Sequence, residues 1–331
     1  MQWGEAALMQ QKFIFTAMDS PFISICIPTY KRPDLLKKLL DSILLQSFTN
    51  YEVLINDNSP DDSVKNLVAT FQERLAISYE QNMPSLSATE NCNKVMRRAN
   101  ASWIKLMHDD DWFATADALQ QFADAAWNSG KDFIFSGSNQ VYLETNKIIE
   151  EKLEGERKAM LDDSVFSLIY LNVIGHPSVV MHRKDSGINY DPAFNWVLDI
   201  DYYVRYLSKH KGYHYIPALL INIGKGSGQE SFKYYKNSLV EIPEYFAMLT
   251  KYSSGLVLKN IYVFHLVWNM FVRYRIKSAG DIHALGYTGV MPDRITEIMK
   301  YQKKIPRIIL KQPKWSKLFM KRCFRKMAQG L

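Results

Sequence analysis

Cysteine is scarce in this chain: only Cys26, Cys92 and Cys323 occur among 331 residues. An odd number at wide spacing gives neither a disulfide framework nor a metal-binding Cys pair, so a reducing compartment is expected. No run of eighteen apolar residues is present. The nearest approach, residues 261–276, is interrupted by His265, Asn269, Arg273 and Arg275, which predicts a buried or interfacial helix rather than a membrane span. Residues 1–20 contain Glu5 and Asp19 and no basic start followed by an apolar core, so no secretory leader is expected. Neither G-x-G-x-x-G nor G-x-x-x-x-G-K-[S/T] occurs, which excludes two common phosphate cradles. Acidic residues are absent from residues 301–331, which hold ten Lys or Arg. Residues 1–300 therefore carry −3, although the whole chain is +7. A nucleic-acid binder is disfavoured by that distribution; any contact with an anionic surface falls to the tail.

What is there is globular: 47% hydrophobic and 23% charged residues. "FISICIPTY" is a β-branched apolar run. Residues 31–46 follow with Leu35, Leu36, Leu39, Leu40, Ile43 and Leu44 at helical spacing, and Pro33 suits the first turn. Strands are predicted at 51–57, 75–79, 102–107 and 133–137, with helices at 62–71, 88–98 and 113–127 between them. Further on, strand-like segments at 179–182 and 213–216 flank a helical stretch, 199–209, and the chain turns helical and aromatic from residue 230. Strands alternating with helices at short intervals argue a doubly wound, mostly parallel α/β sheet with a helical C-terminal extension.

Three of those strands end in polar tips, "PTY", "NDNSPD" and "HDDDW", and ligands of open α/β sheets gather where strands end. Three adjacent aspartates repel one another, and burying any of them unpaired is costly. A hard divalent cation that also bridges phosphate oxygens would neutralise them. The plainer alternative is that Asp111 caps a helix over residues 112–127. Asp57 has a similar alternative as an Asx turn.

The segments "ISICIPTYKRPDLLKKLLDSILLQSFTNYEVLINDNSPD", "NCNKVMRRANASWIKLMHDDDW" and "WVLDIDYYVRYL", spread over residues 21–215, resemble the family 2 glycosyltransferases of GT-A fold. The resemblance implies inverting transfer of a sugar from a nucleoside-diphosphate sugar, most commonly a UDP sugar, with Mn²⁺ or Mg²⁺ as cofactor. It gives Pro28, Thr29 and Tyr30 to the first nucleotide-binding tip. Asp57 takes the base or ribose, with Asp61 as support, while Asn91 and Lys94 approach the sugar diphosphate. His108-Asp109-Asp110 stands where the family has D-x-D. The leading acid is His108 here, which leaves Asp110 as principal metal ligand and Asp109 to contact donor sugar or ribose.

"LDIDYYVR" resembles the family's acidic-pair helix, in which an Asp sits six residues before an Arg, and the resemblance gives Asp199 that place as general base. Inverting transfer needs a carboxylate within ~3 Å of the acceptor hydroxyl to take its proton. Asp201 competes for that role, but at i,i+2 on a helix the two point in different directions. Lys225, among the glycines of residues 222–229, either closes over the leaving phosphate or lies in an ordinary turn. His176 and Trp196 are each either acceptor-facing or core.

Residues 311–331 place Trp315, Phe319, Cys323 and Met327 on one face amid lysine and arginine. Such a helix either docks on an anionic membrane surface or packs on the catalytic domain. The expected organisation is an N-terminal extension at 1–20, a catalytic domain at 21–229 divided at residue 137, and a helical region at 230–331. The acceptor is expected to be a glycan or lipid-linked glycan at the cytoplasmic face of a membrane. Two other readings remain: a sugar-phosphate nucleotidyltransferase, which would need a glycine-rich loop where "PTYKRPDLL" stands, and a non-catalytic sugar-nucleotide-binding protein.

Overall fold

The computed structural model describes residues 20–185, 187–226, 234, 236–252 and 257–328. Most of the expected N-terminal extension, much of the glycine-rich stretch after Lys225 and the last three residues lie outside them.

Strand β1 (Ile23–Thr29) is buried along almost its whole length, as a near-continuous β-branched run requires in a sheet covered on both faces. It pairs in parallel with β2 (Tyr51–Asp57) and β4 (Trp103–Leu106), and β2 pairs in parallel with β3 (Ile77–Gln81). Helix α1 (Pro33–Leu44) turns Leu36, Leu39, Leu40 and Ile43 into the core, the face its spacing predicts. Helices α2 (Ser63–Ala69) and α3 (Ala88–Arg98) complete this half; Ser87 caps α3 by accepting from Glu90 N.

Beyond β4 the sheet becomes mixed. The order is β3-β2-β1-β4-β8-β6-β9-β5, with β7 (Ile148–Glu151) hairpinned onto β6 (Phe133–Tyr142). Strand β8 (Val180–Arg183) runs antiparallel to both β4 and β6, whereas β9 (His214–Lys225) runs parallel to β6.

Two local expectations need correction. The helix predicted over 113–127 begins only at Ala118, as α4 (Ala118–Asn128), and Asp111 opens a short strand, β5 (Asp111–Phe113), instead of capping it. Strand β5 pairs antiparallel with residues 221–223 of β9, and this cross-strand pairing overrides the helical pattern after Trp112. For the same reason β9 extends nine residues past the predicted strand at 213–216, so Lys225 is a strand residue.

Helix α5 (Gly155–Asp163) and a 3₁₀ turn (Val165–Ile169) lead to the segment before β8, and α6 (Leu198–His210) lies between β8 and β9. The C-terminal region is helical: α7 (Ser238–Lys251), α8 (Ile261–Tyr274), α9 (Ala279–Ala284), α10 (Asp293–Gln302), α11 (Arg307–Leu310) and α12 (Pro313–Ala328). Helix α8 is the interrupted apolar stretch, and its Val263, Phe264, Val267, Trp268, Met270 and Phe271 are buried. One apolar core runs from Ile23 to Cys323. Among the described residues, no helix is long and apolar enough to cross a membrane.

Candidate active site

The parallel register aligns the polar ends. Thr29 of β1 stands opposite Asp57 of β2, and β4 delivers the chain to the acidic tip. Asp109 is buried and faces inward: its Oδ2 accepts from Thr29 Oγ1 at 2.8 Å and from Tyr30 N at 3.3 Å. The Arg32 guanidinium spans both neighbours, 3.5 Å from Asp109 and 3.2 Å from Asp110. Burial, with the Asp110 charge beside it, lifts the Asp109 carboxyl to about 6 against the opposing pull of Arg32. Tyr30 is half exposed at the mouth.

Asp57 is fully buried, accepting from Ser59 N at 2.7 Å and from the Tyr79 hydroxyl at 2.8 Å. The Asx turn is therefore formed. Asp61 makes a similar turn with Ser63 N, at 3.0 Å. Asn91 and Lys94 meet at Asn82. The Asn82 Nδ2 donates to Asn91 Oδ1 (2.8 Å) and Asn58 Oδ1 (2.8 Å), and its Oδ1 accepts from Lys94 Nζ (2.7 Å). Lys94 also pairs with Glu80 at 2.6 Å.

On the other side of the acidic tip, residues from three elements converge. His108, Asp111 and His176 each bring one donor atom to within 4.8 Å of the other two. Asp111 is buried; one oxygen accepts from Gly224 N at 3.1 Å, and Oδ2 has no hydrogen-bond partner of good geometry, with the Ser178 hydroxyl only in electrostatic reach. Burial and the neighbouring Asp110 push its carboxyl well up. Burial likewise lowers His108 and His176, which keeps both imidazoles neutral. Lys225 Nζ lies 2.9 Å from His176 Nε2, and burial lowers the Lys225 ammonium.

The approach of β9 to this tip demands glycine at 224, because a Cβ there would stand 2.3 Å from the Asp110 carbonyl oxygen. Behind the tip, Lys105 is completely buried and donates to the backbone carbonyls of Ser178 and, at 3.3 Å, Val180. Burial brings its ammonium down to about 7, with Asp111 resisting. Lys105 thus ties β4 to the turn that carries His176.

Asp199 and Asp201 are separated by their surroundings. Asp201 is fully buried and saturated: Arg205 at 2.7 Å, Lys251 at 2.8 Å and the Tyr252 hydroxyl at 2.8 Å hold it. Asp199, in the first turn of α6, is hemmed in by protein yet still reaches solvent. Desolvation alone raises its carboxyl to about 7, inside the range a general base needs near neutral pH. It lies on the same side of the molecule as the acidic tip: the buried Cys92 thiol, raised to about 12 chiefly by burial, is pushed further by both Asp199 and Asp109.

Glu244 of α7 holds the approach to Asp199. Its carboxylate accepts from the backbone amides of Asn195, Trp196 and Val197 at 2.8 to 3.1 Å. Helix α6 has Val197 at its N-cap and no side-chain cap, and the Glu244 carboxylate instead fixes the turn that leads into it. Trp196 is half-buried. Sequence reasoning missed Arg32, Lys105 and Glu244, which carry no local signature, since each acts on residues 47 or more positions away. The lysine in an otherwise apolar strand, "WIKL", was the one visible anomaly.

Comparison with known proteins agrees with this geometry. Residues 24–184 match the model of Glycosyl transferase family 2. An uncharacterized glycosyltransferase of Rickettsia typhi is 23% identical over 193 residues, 57% of this chain and 59% of that protein. The GalNAc(5)-diNAcBac-PP-undecaprenol beta-1,3-glucosyltransferase of Campylobacter jejuni is 29% identical over 94 residues, 28% of this chain and 30% of that protein. This chain therefore matches less than two thirds of the length of these relatives. In fold it resembles S. aureus TarS 1–349 solved with UDP-GlcNAc, with a TM-score of 0.57 at 15% identity over 93% of this chain and 92% of that one. The three strand tips and His176 all lie within the stretch, residues 24–184, that is similar to glycosyl transferase family 2.

Proposed function

We propose that the protein moves a sugar from a nucleoside-diphosphate sugar, a UDP sugar in the first instance, to a hydroxyl of a glycan or lipid-linked glycan, with inversion at the anomeric carbon. The observation that carries this reading is the contrast between two carboxylates two residues apart. Asp201 is locked by three partners, whereas Asp199 makes no hydrogen bond or ion pair among the described residues and is raised to about 7 by desolvation. A carboxylate in that condition can take the acceptor's proton as its oxygen attacks.

In this reading the donor's nucleoside lies along Pro28, Thr29, Tyr30 and Asp57, and Asn91 and Lys94 face the diphosphate. Asp110 is the oxygen ligand for Mn²⁺ or Mg²⁺, and Arg32, already on Asp110, turns to phosphate when donor enters. A divalent cation bound there would neutralise charge developing on the departing diphosphate. Lys225 adds a second positive charge from the end of β9. The Campylobacter relative named for a polyprenyl-linked substrate, and the basic C-terminal tail, support a lipid-linked acceptor reached from the cytoplasmic membrane face.

The test is donor binding and turnover with a panel of nucleoside-diphosphate sugars, with and without Mn²⁺ or Mg²⁺. Asp199→Asn should bind donor within about twofold of wild type and lose at least ~100-fold in kcat, in the range assigned to a general base. A folded wild type that binds none of these nucleotides rules the reading out. Equal turnover by Asp199→Asn removes Asp199 from the chemistry.

A further inference from the structure

Beyond the oxygen ligand at Asp110, the acidic tip presents a second donor set that the transfer mechanism leaves unused. We propose that His108, Asp111 and His176 form a transition-metal site for a borderline dication of the Zn²⁺ or Co²⁺ type, distinct from the oxygen site at Asp110, with Lys225 as the cation it displaces.

Four observations converge. The donor atoms come from three places in the fold, the turn after β4, the start of β5 and the segment before β8, and meet within 4.8 Å of one another. Around a bound ion with metal–ligand bonds of about 2.0–2.2 Å, donors lie about 3–3.5 Å apart, so side-chain rotation of roughly an ångström closes the set. Asp111 is 1% exposed and its Oδ2 is a buried acceptor without a hydrogen-bond partner; a buried polar atom left in that state is costly unless something occupies it. Lys225 Nζ already stands 2.9 Å from a ring nitrogen of this cluster, so a positive charge is present at the rim before any ion arrives. Finally, Lys105 fixes the carbonyls of Ser178 and Val180, and Ser178 Oγ accepts from His108 N at 2.9 Å. The two histidine-bearing segments are thus pinned to each other rather than brought together by chance.

Two imidazoles and one carboxylate make a donor set suited to Zn²⁺, Fe²⁺, Co²⁺ or Mn²⁺, unlike an all-oxygen tip, which suits Mg²⁺. With three protein ligands, further positions are open to water or to a phosphate oxygen. The site is predicted to load without nucleotide, so its success or failure is separate from that of the transfer reading.

The experiment is a Co²⁺ titration of the metal-stripped full chain, without nucleotide, followed by visible absorption and then by competition with Zn²⁺. Wild type should bind one Co²⁺ that Zn²⁺ displaces. His176→Asn and Asp111→Asn should each weaken binding about 10-fold or more, Asp110→Ala less than about threefold, and Lys225→Met should strengthen it. Loss in Asp110→Ala with retention in His176→Asn overturns the proposal, as does the absence of any bound ion. Because ligand variants can misfold, X-ray absorption at the zinc edge of wild type loaded with one Zn²⁺ provides the second measurement. Imidazole scattering is expected, and a spectrum with oxygen ligands alone overturns the assignment.

Discussion

In its proposed role as general base, Asp199 carries opposite consequences for catalysis and for stability, and both follow from one cause. Desolvation raises its folded-state value to about 7, whereas an unfolded aspartate titrates near 3.8. The folded form therefore favours the protonated carboxyl. Its contribution to stability is full below about pH 4 and is lost as pH rises through 7. Catalysis runs the other way, since only the ionised carboxylate accepts a proton, so kcat/KM should rise with pH and level off above about 7. Replacing Asp199 by Asn removes the buried charge while keeping the shape. We expect Asp199→Asn to be more stable than wild type by about 1–3 kcal/mol at pH 8, with the gain shrinking towards pH 5, since each pK unit is worth about 1.4 kcal/mol. Urea unfolding of both proteins at the two pH values checks this. A gain that does not change with pH would mean that the carboxyl titrates normally. Asp201→Asn is the contrasting case: it breaks a buried set of ion pairs with Arg205 and Lys251 and should destabilise at pH 8.

At the scale of elements, the position of Asp199 depends on a helix that lies outside the matched family region. Glu244 of α7 gathers the amides of residues 195–197 just before α6 begins. Glu244→Ala leaves three amides without their acceptor and frees the start of α6, so we expect about 2–3 kcal/mol of destabilisation and a fall in kcat larger than any change in donor KM. Glu244→Gln, which keeps one acceptor oxygen, should recover part of both. A kcat that survives Glu244→Ala would show that α6 holds its own N-terminus. This dependence also marks where sequence legibility ended. The parallel block β1–β4, its helices and the order of the three tips were readable, because buried parallel strands and amphipathic helices leave local, periodic signals. The strand at Asp111–Phe113, the length of β9 and the hairpin partner β7 were not. Those elements exist through pairing with distant residues, and Gly224, which permits β9 to reach the acidic tip, looks like any loop glycine in sequence. Asp57 and the Asp199–Asp201 pair were legible as candidates, but only three-dimensional contacts separate the saturated carboxylate from the available one.

At the scale of the whole molecule, charge and packing give the two sides of the C-terminal helix different surroundings. The face expected to hold Trp315, Phe319, Cys323 and Met327 together is split. Met320 and Cys323 are buried, Trp268 Nε1 donates to Ser316 Oγ at 2.9 Å, and Phe324 packs edge-on against Phe264. Helix α12 is therefore anchored on α8, and deleting it would strip the core. Its other side remains outward, with Trp315 58% exposed, Leu318 also exposed, and lysines and arginines around them. An outward aromatic set among basic residues suits an anionic bilayer surface, where each Lys or Arg adds about 1 kcal/mol of attraction. The informative variants therefore change this outer side alone. Lys314, Lys317, Lys321 and Arg325 replaced together by Glu should abolish sedimentation with phosphatidylglycerol vesicles. Trp315→Ser should weaken it several-fold, and both should keep the wild-type Tm and nucleotide affinity. Because the electrostatic part is screened within about 8 Å at physiological ionic strength, raising the salt should release wild type progressively. Undiminished vesicle binding by the charge-reversed protein would leave α12 as a packing element only, and would move the proposed contact with a lipid-linked acceptor elsewhere on the surface.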